Sequence, residues 1–202
     1  MVLALASQRD AASSAAKSTD KAKPADKAKA EPKIPSRPAW NKEFELIVNL
    51  EINHPEAEKG RYRRPYVAIW VEDSEGRPVR TLALWVSMGG SGPFQWLPDL
   101  KYWYKSEEER KLAEKKDIFF AVARPTRLPG KYRLIWDGKD NHGKQLGGGE
   151  YTIFIDAARE HGTYQNIRQH VSLSDKPFRE DLKGNVEIRS ASIEYRRKAA
   201  AK

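Results

Sequence analysis

The chain has 202 residues, no cysteine and a formal net charge of +9. This length suits one domain with a tail, and the lack of cysteine excludes disulfides, thiolate metal sites and a cysteine nucleophile. No run approaches the ~18 apolar residues that a membrane-spanning helix needs.

The positive charge is concentrated at the two ends of the chain. Residues 1–38 hold eight Lys or Arg and four Asp or Glu, and residues 196–202 add four basic residues. The 25 basic and 24 acidic residues between them nearly cancel. Nucleic-acid-binding domains concentrate charge on a folded face, so this distribution argues against a nucleic-acid partner and predicts that the tails contact anionic surfaces.

Residues 1–39 are rich in Ala, Lys, Ser, Asp and Pro and contain few large apolar side chains. Such a segment cannot bury enough surface to offset its ordering entropy, so we predict a disordered tether. Its apolar start, MVLALAS, is too short for a complete signal peptide and is consistent with the remnant of one. The folded domain is predicted at 40–197, followed by a basic tail at 198–202.

Alternating apolar and polar residues predict the strands of this domain. They lie at 44–52, 65–72, 79–87, 118–122, 131–136, 151–157, 164–173 and 186–195. One helix is predicted at 99–116, with Asp99 as its N-terminal cap. The segments 124–130 and 174–185 have the composition of loops. About seven strands with one inserted helix predict a mainly β fold, an immunoglobulin-like antiparallel β-sandwich.

The stretch 131–157 has the pattern of a β-hairpin around DGKDNHGKQLGGG, which is dense in turn-forming residues. It resembles the Trp-Asp-Gly-x-Asp-x-x-Gly…Gly-x-Tyr signature of the immunoglobulin-like domain in flagellar hook-capping proteins. In that signature the Trp packs in the sandwich while Asp and Gly residues build the turn. The matching residues here are Trp136, Asp137, Gly138, Asp140 and Gly143.

A wider resemblance covers residues 43–197 and rests on ordered strings that include RPYVAIWVED, VRTLALWV, WLPDLKYWY, RPTRLPGKY, GEYTIFIDAAREHGTYQ and GNVEIRSASIEYRRK. They resemble the predicted periplasmic proteins of the domain of unknown function 2271 family, whose biochemical activity is unassigned. Its members tend to occur with PepSY-type membrane proteins and flavin-attaching transferases. The resemblance implies a periplasmic accessory protein of a membrane redox or metal-uptake system, whose partner is a PepSY-type or flavin-carrying protein.

Thr126 marks a departure from that family. Relatives often carry Ser-x-Ala-Thr here, which is similar to the acceptor sequence for flavin attached through a phosphoester. In this chain Ala123, Arg124 and Pro125 precede the threonine, and the bulky Arg and the Pro would hinder a transferase. The sequence therefore argues against Thr126 as a flavin acceptor. A cofactor-carrying electron-transfer protein, with flavin, haem or metal, remains the alternative to a non-enzymatic binding module.

Arg159, Glu160 and His161 form a charged cluster at a predicted strand end and are the candidate ligand-binding residues. His161 could exchange a proton near neutral pH. The competing interpretation is structural: Arg159 and Glu160 pair with each other or with Arg64 or Asp73, and His161 caps the turn.

The aromatic residues divide into two predicted groups. Trp70, Trp85 and Trp136 lie on predicted strands and are expected in the core. The candidate partner-binding residues are Trp96, Tyr102, Trp103 and Tyr104, which lie in and after a loop.

The remaining motifs predict no catalytic residues and no metal site. Asp137, Asp140 and Asn141 carry oxygens suited to calcium, but they lack the later bidentate Glu, and such residues more often bond their own turn backbone. The four histidines show no metal-ligand spacing. We therefore expect a module that binds a partner or ligand, with no cofactor assigned.

Overall fold

The computed structural model describes residues 38–54, 62–90, 92–160 and 162–199. These residues form a mainly β structure with nine strands in two sheets, which confirms the predicted sandwich class. The strands are β1 Phe44–Ile52, β2 Tyr66–Asp73, β3 Pro78–Val86, β4 Ala123–Pro125, β5 Gly130–Trp136, β6 Gly149–Ala158, β7 Tyr164–Leu173, β8 Phe178–Leu182 and β9 Ile188–Arg197.

One sheet has the order β5-β1-β9-β8 and the other has the order β4-β3-β2-β6-β7. Helix α1 spans Lys101–Glu114 and the single turn α2 spans Phe119–Val122. Two 3₁₀ turns, Pro93–Gln95 and Leu97–Asp99, lead into α1. None of the described helices is long and apolar enough to cross a membrane.

Two apolar cores hold these layers together. The first lies between the sheets and takes the inward residues of β1, β2, β6 and β9, together with Trp85 and Trp136. The second lies between the outer face of the five-stranded sheet and the helices, and contains Trp70, Leu100 and Trp103. Strands β2 and β3 are apolar on both faces because each face meets one of these cores.

The 131–157 segment is not a hairpin, contrary to the sequence prediction. Strand β5 pairs with β1 in one sheet, and β6 pairs with β2 and β7 in the other. The loop between them therefore crosses from sheet to sheet. The alternation of side chains was predicted correctly, but it fixes only which face is buried and says nothing about the partner strand.

Three further local predictions were wrong. Residues 119–122 form the helical turn α2 rather than a strand. Part of the predicted 124–130 loop belongs to β4, which pairs in parallel with β3, and its Pro125 is tolerated because β4 is a sheet edge. Strand β8 lies within the predicted 174–185 loop.

A bulge explains the burial pattern at the end of the chain. Glu51 pairs with Ser190 and Ile52 pairs with Ile188, so β9 contains one extra residue opposite β1. The extra residue changes which face the preceding side chain occupies. Ile188 therefore joins Ala191 in the inter-sheet core, and not the Ser190 face that strict alternation predicts.

The first and last strands are neighbours. Phe44 at the start of β1 lies opposite Arg197 at the end of β9. Two arginines of the predicted basic end are thus part of the sheet: Arg196 pairs with Glu45 at 3.2 Å and Arg197 with Glu43 at 3.6 Å. Pro38 contacts the loop before β6, because its carbonyl accepts a 2.7 Å hydrogen bond from the Gly148 N–H.

Candidate functional site

Four strand ends lie next to one another at one end of the five-stranded sheet. Tyr66 begins β2 and pairs with Ala158 at the end of β6, while Val86 at the end of β3 pairs with Pro125 at the end of β4. The segments that follow these ends are far apart in sequence but adjacent in space. They surround a concave surface that we call the sheet-end cleft.

The sheet-end cleft has a volume of about 670 Å³, within the range of small-molecule sites. Its described lining residues are Tyr62, Arg63, Arg64, Tyr66, Ser87, Gly89, Gly90, Gly92, Gln95, Trp96, Thr126, Leu128 and Glu160. Three residues singled out from the sequence on separate grounds, Trp96, Thr126 and Glu160, thus line one cleft.

The predicted charged cluster is divided between two environments. Glu160 lines the sheet-end cleft and forms an ion pair with Arg63. The Nε of Arg159 instead donates a 3.1 Å hydrogen bond to buried Glu187. Arg159 and Glu160 both form ion pairs, as the structural interpretation predicts, but their partners are Glu187 and Arg63 and not the predicted residues. His161 lies outside the described residues.

Glu187 holds the Arg159 side of this turn in place. Its Oε1 accepts hydrogen bonds from Arg159 and from the Thr163 hydroxyl, the latter at 2.8 Å, and its backbone N–H donates to Gln165. Arg159 is therefore committed to a structural network. Of the two described residues in the cluster, Glu160 is the one that reaches the cleft.

Two residues that sequence reasoning did not select give the sheet-end cleft its polar character. The Arg64 side chain is exposed and makes no hydrogen bond or ion pair with another described residue. Tyr66 is 6 % exposed, and its hydroxyl has no hydrogen-bond partner in the described part of the chain. Ser87 lies close enough to lower the pKa of Tyr66, but its atoms do not meet the geometry of a hydrogen bond with the Tyr66 hydroxyl.

The Thr126 segment is held against strand β3 at the edge of the five-stranded sheet. The Thr126 N–H donates a 3.0 Å hydrogen bond to the Val86 carbonyl, and Pro125 is in register with Val86. The residues around the hydroxyl are therefore fixed against the sheet edge, with exposed Arg124 beside them. That Thr126 is not a flavin acceptor stays a prediction from the local sequence.

The four candidate aromatic residues do not form one surface. Trp103 is only 1 % exposed and packs in the helix-side core, so it cannot belong to an exposed patch. Tyr102 is exposed and lies beside Tyr164, and Tyr104 is half-buried. Trp96 is half-buried and lines the sheet-end cleft. Trp70, Trp85 and Trp136 are buried, as predicted.

The loop between β5 and β6 has a structural role. Asp140 Oδ1 accepts bonds from the N–H groups of His142 and Lys144, at 2.8 and 2.9 Å. Asn141 Oδ1 accepts from the Thr81 N–H at 2.9 Å, which attaches the loop to β3. Trp136 donates its ring N–H to the Lys139 carbonyl. Among the described residues, no group of three or more His, Asp or Glu side chains is placed to hold a metal ion.

A second depression, of about 490 Å³, lies on the open face of the four-stranded sheet. Its polar residues are engaged with one another: Asn49 donates to Ser192, Ser190 donates to Glu51, and Arg179 pairs with Asp181. This depression is a solvated sheet face between long side chains. The sheet-end cleft, with Arg64 and Tyr66, is the better candidate for a binding site.

The fold and the cleft define a helix-covered β-sandwich with a loop-built cleft at one end of a sheet. The family model described as "Predicted periplasmic protein (DUF2271)" matches residues 47–190. The chain therefore belongs to the DUF2271 family, and the extracytoplasmic location expected from the resemblance is confirmed. No curated protein and no solved structure matches the chain.

Proposed function

We propose that this protein is a non-enzymatic binding module in the cell envelope, and that its sheet-end cleft holds the ligand or partner. The observation that carries this proposal is the convergence of four strand ends on one cleft, which contains buried Tyr66 and an Arg64 that pairs with none of the described residues. Binding residues are commonly placed on loops that a rigid scaffold positions. Here the scaffold is a five-stranded sheet covered on both faces.

The proposed setting is a membrane redox or metal-uptake system. This part of the proposal comes from the occurrence of similar proteins with PepSY-type membrane proteins and flavin-attaching transferases. The partner is then a PepSY-type membrane protein or a flavin-carrying protein. The aromatic and apolar residues at the rim, Trp96 and Leu128, give such a partner a surface on which to pack.

Site-specific photo-crosslinking in the native cell envelope tests the proposal. A photoreactive amino acid replaces Trp96 or Leu128 in the cleft, and Leu112 on α1 serves as the control because it is 78 % exposed and does not line the cleft. We expect adducts with a PepSY-type or flavin-carrying protein from the two cleft positions and not from Leu112.

Two kinds of result would contradict the proposal. One is an identical set of adducts from Leu112 and from the cleft positions, which would show that the contacts are not specific to the cleft. The other is substrate turnover by the purified chain, or a visible flavin, haem or metal spectrum in protein from its native host. Such a spectrum would favour the cofactor-carrying electron-transfer protein instead.

A further inference from the structure

Arg64 is the cation of the sheet-end cleft that pairs with no other residue in the described part of the chain. The neighbouring Arg63 is neutralised by Glu160, so the described ionisable residues of the cleft leave one net positive charge at neutral pH. Pro65 follows Arg64 and is buried at the entry to β2. A residue before proline is restricted to extended conformations, so the backbone that carries this guanidinium is fixed in place.

Tyr66 lines the same cleft and supplies a hydrogen-bond donor. Its hydroxyl is shielded from solvent and has no partner among the described residues, which is unfavourable in the protein without ligand. Burial is the main influence that raises the pKa of Tyr66 above its ordinary value of 10.0, so the hydroxyl keeps its proton at neutral pH. A ligand oxygen at this point would accept the unused hydrogen bond.

The sheet-end cleft also has aromatic and apolar lining residues. Trp96 is half-buried, Leu128 is 57 % exposed, and Tyr62 adds a second ring. These side chains would cover the body of a ligand whose anionic group lies at Arg64. A positive charge together with apolar and aromatic side chains favours an anion with an apolar or planar body. A fully hydrated inorganic ion would make no use of these side chains.

We propose that the sheet-end cleft binds a small organic anion. The carboxylate or phosphate group pairs with Arg64 and accepts a hydrogen bond from Tyr66, while the body of the ligand contacts Trp96 and Leu128. This inference rests on the proposed binding function and specifies its ligand class. Arginine suits both anionic groups, since its planar guanidinium bonds either one in a bidentate manner.

Calorimetric titration of the full chain tests the inference with three probes of similar size: phenyl phosphate, benzoate and uncharged benzyl alcohol. We expect saturable binding of at least one anion, and weaker or no binding of benzyl alcohol. Arg64→Gln should weaken anion binding at least tenfold, and Tyr66→Phe should weaken it several-fold. Arg168→Gln is the matched control, because Arg168 is exposed on β7, lies outside the cleft and has no side-chain partner among the described residues.

The probes also distinguish the two anionic groups. Binding of phenyl phosphate alone identifies a phosphate site, binding of benzoate alone a carboxylate site, and binding of both a general anion site. Equal binding of benzyl alcohol, or an undiminished affinity in Arg64→Gln, would overturn the inference, as would a lack of binding by both anions. The crosslinking at Trp96 and Leu128 can still succeed in each of these cases, so failure here is distinct from failure of the proposed function.

Discussion

The carboxylate of Asp156 on β6 caps the N-terminus of helix α1 by accepting a hydrogen bond from the backbone N–H of Trp103. Asp156 Oδ2 accepts hydrogen bonds from the backbone N–H groups of Tyr102 and Trp103, at 3.1 and 3.0 Å. Its Oδ1 accepts from the Tyr164 hydroxyl and the Asn166 amide. Burial raises the pKa of Asp156, and these four donors oppose that rise. The predicted cap, Asp99, does not make this contact, and the residue at the N-cap, Leu100, provides no side-chain bond.

Replacing Asp156 by Ala should lower the free energy of unfolding by about 3 kcal/mol, because four buried or half-buried donors lose their acceptor. Asp99→Ala is the control and should change it by less than about 0.5 kcal/mol. Urea unfolding followed by circular dichroism measures both values. Equal losses in the two variants would contradict the assignment of the cap to Asp156.

Gly138 is constrained by two features, its backbone and its neighbour. It has φ +80°, and a Cβ at this position would lie 2.3 Å from the ring of buried Trp40. Gly138→Ala should therefore lower the free energy of unfolding by about 3 kcal/mol, since backbone strain and overpacking add. Gly143→Ala separates the two effects, because Gly143 has φ +81° but nothing within 4 Å of its Cβ position. It should cost about 1 kcal/mol, as measured by thermal or urea unfolding.

Protonation of Asp73, in the turn between β2 and β3, should lower the free energy of unfolding in acid. Burial alone raises the pKa of Asp73, but hydrogen bonds from the Arg77 side chain and from the backbone of Arg77 and Glu75 outweigh burial, and the net pKa is lowered. The stabilising contribution is complete above the unfolded value near 3.8 and is lost as the pH falls through the lower folded value.

Asp73→Asn should therefore lower the free energy of unfolding by about 2 kcal/mol at pH 7 and flatten its decline below about pH 4. Urea unfolding across a pH series measures both effects. Asp181→Asn is the control, because this exposed residue forms only a surface pair with Arg179. An unchanged acid slope in Asp73→Asn would assign the acid sensitivity to other carboxylates.

Tyr66→Phe should behave differently from an ordinary loss of a buried hydroxyl. Because the Tyr66 hydroxyl has no hydrogen-bond partner among the residues that the structure describes, its removal should leave the free energy of unfolding unchanged or raise it by up to about 1 kcal/mol. Tyr151→Phe should instead lower it by about 1 kcal/mol, since the Tyr151 hydroxyl donates to the Gly147 carbonyl at 2.6 Å. Comparable destabilisation in both variants would mean that the Tyr66 hydroxyl is bonded in solution.

Strand positions were predictable where burial of one face makes apolar and polar residues alternate. The pairing of the strands was not predictable. The boundaries of β1 and β7 agree with the prediction, because each has a clear sequence pattern. Strand β8, FREDL, was missed because it is a mostly exposed edge strand, and only Phe178 and Leu182 pack on the core. The sheet membership of β5 and β6 depends on contacts with distant strands, which a local pattern does not encode.

The candidate site was predictable only in part. Trp96, Thr126 and Glu160 were selected for their chemistry, but nothing in their spacing shows that they share a cleft. Arg64 was named only as a possible ion-pair partner of Arg159 or Glu160, and Tyr66 was not selected as a site residue, because a basic residue before a strand and an aromatic residue within it are common. The informative signal was the buried Pro65 between them, which fixes a charge and a hydroxyl at the entry to β2.

The pairing of Phe44 with Arg197 determines how the domain responds to tension. Strands β1 and β9 are antiparallel neighbours, and the start of one adjoins the end of the other. A force that separates these two points loads the outermost pair first, because the hydrogen bonds of an antiparallel ladder lie across the strands. The ladder would then open one pair at a time, as a zipper does, at a lower force than shearing all pairs together. Arg196–Glu45 and Arg197–Glu43, the ion pairs at that end, would be among the first contacts of this ladder to break.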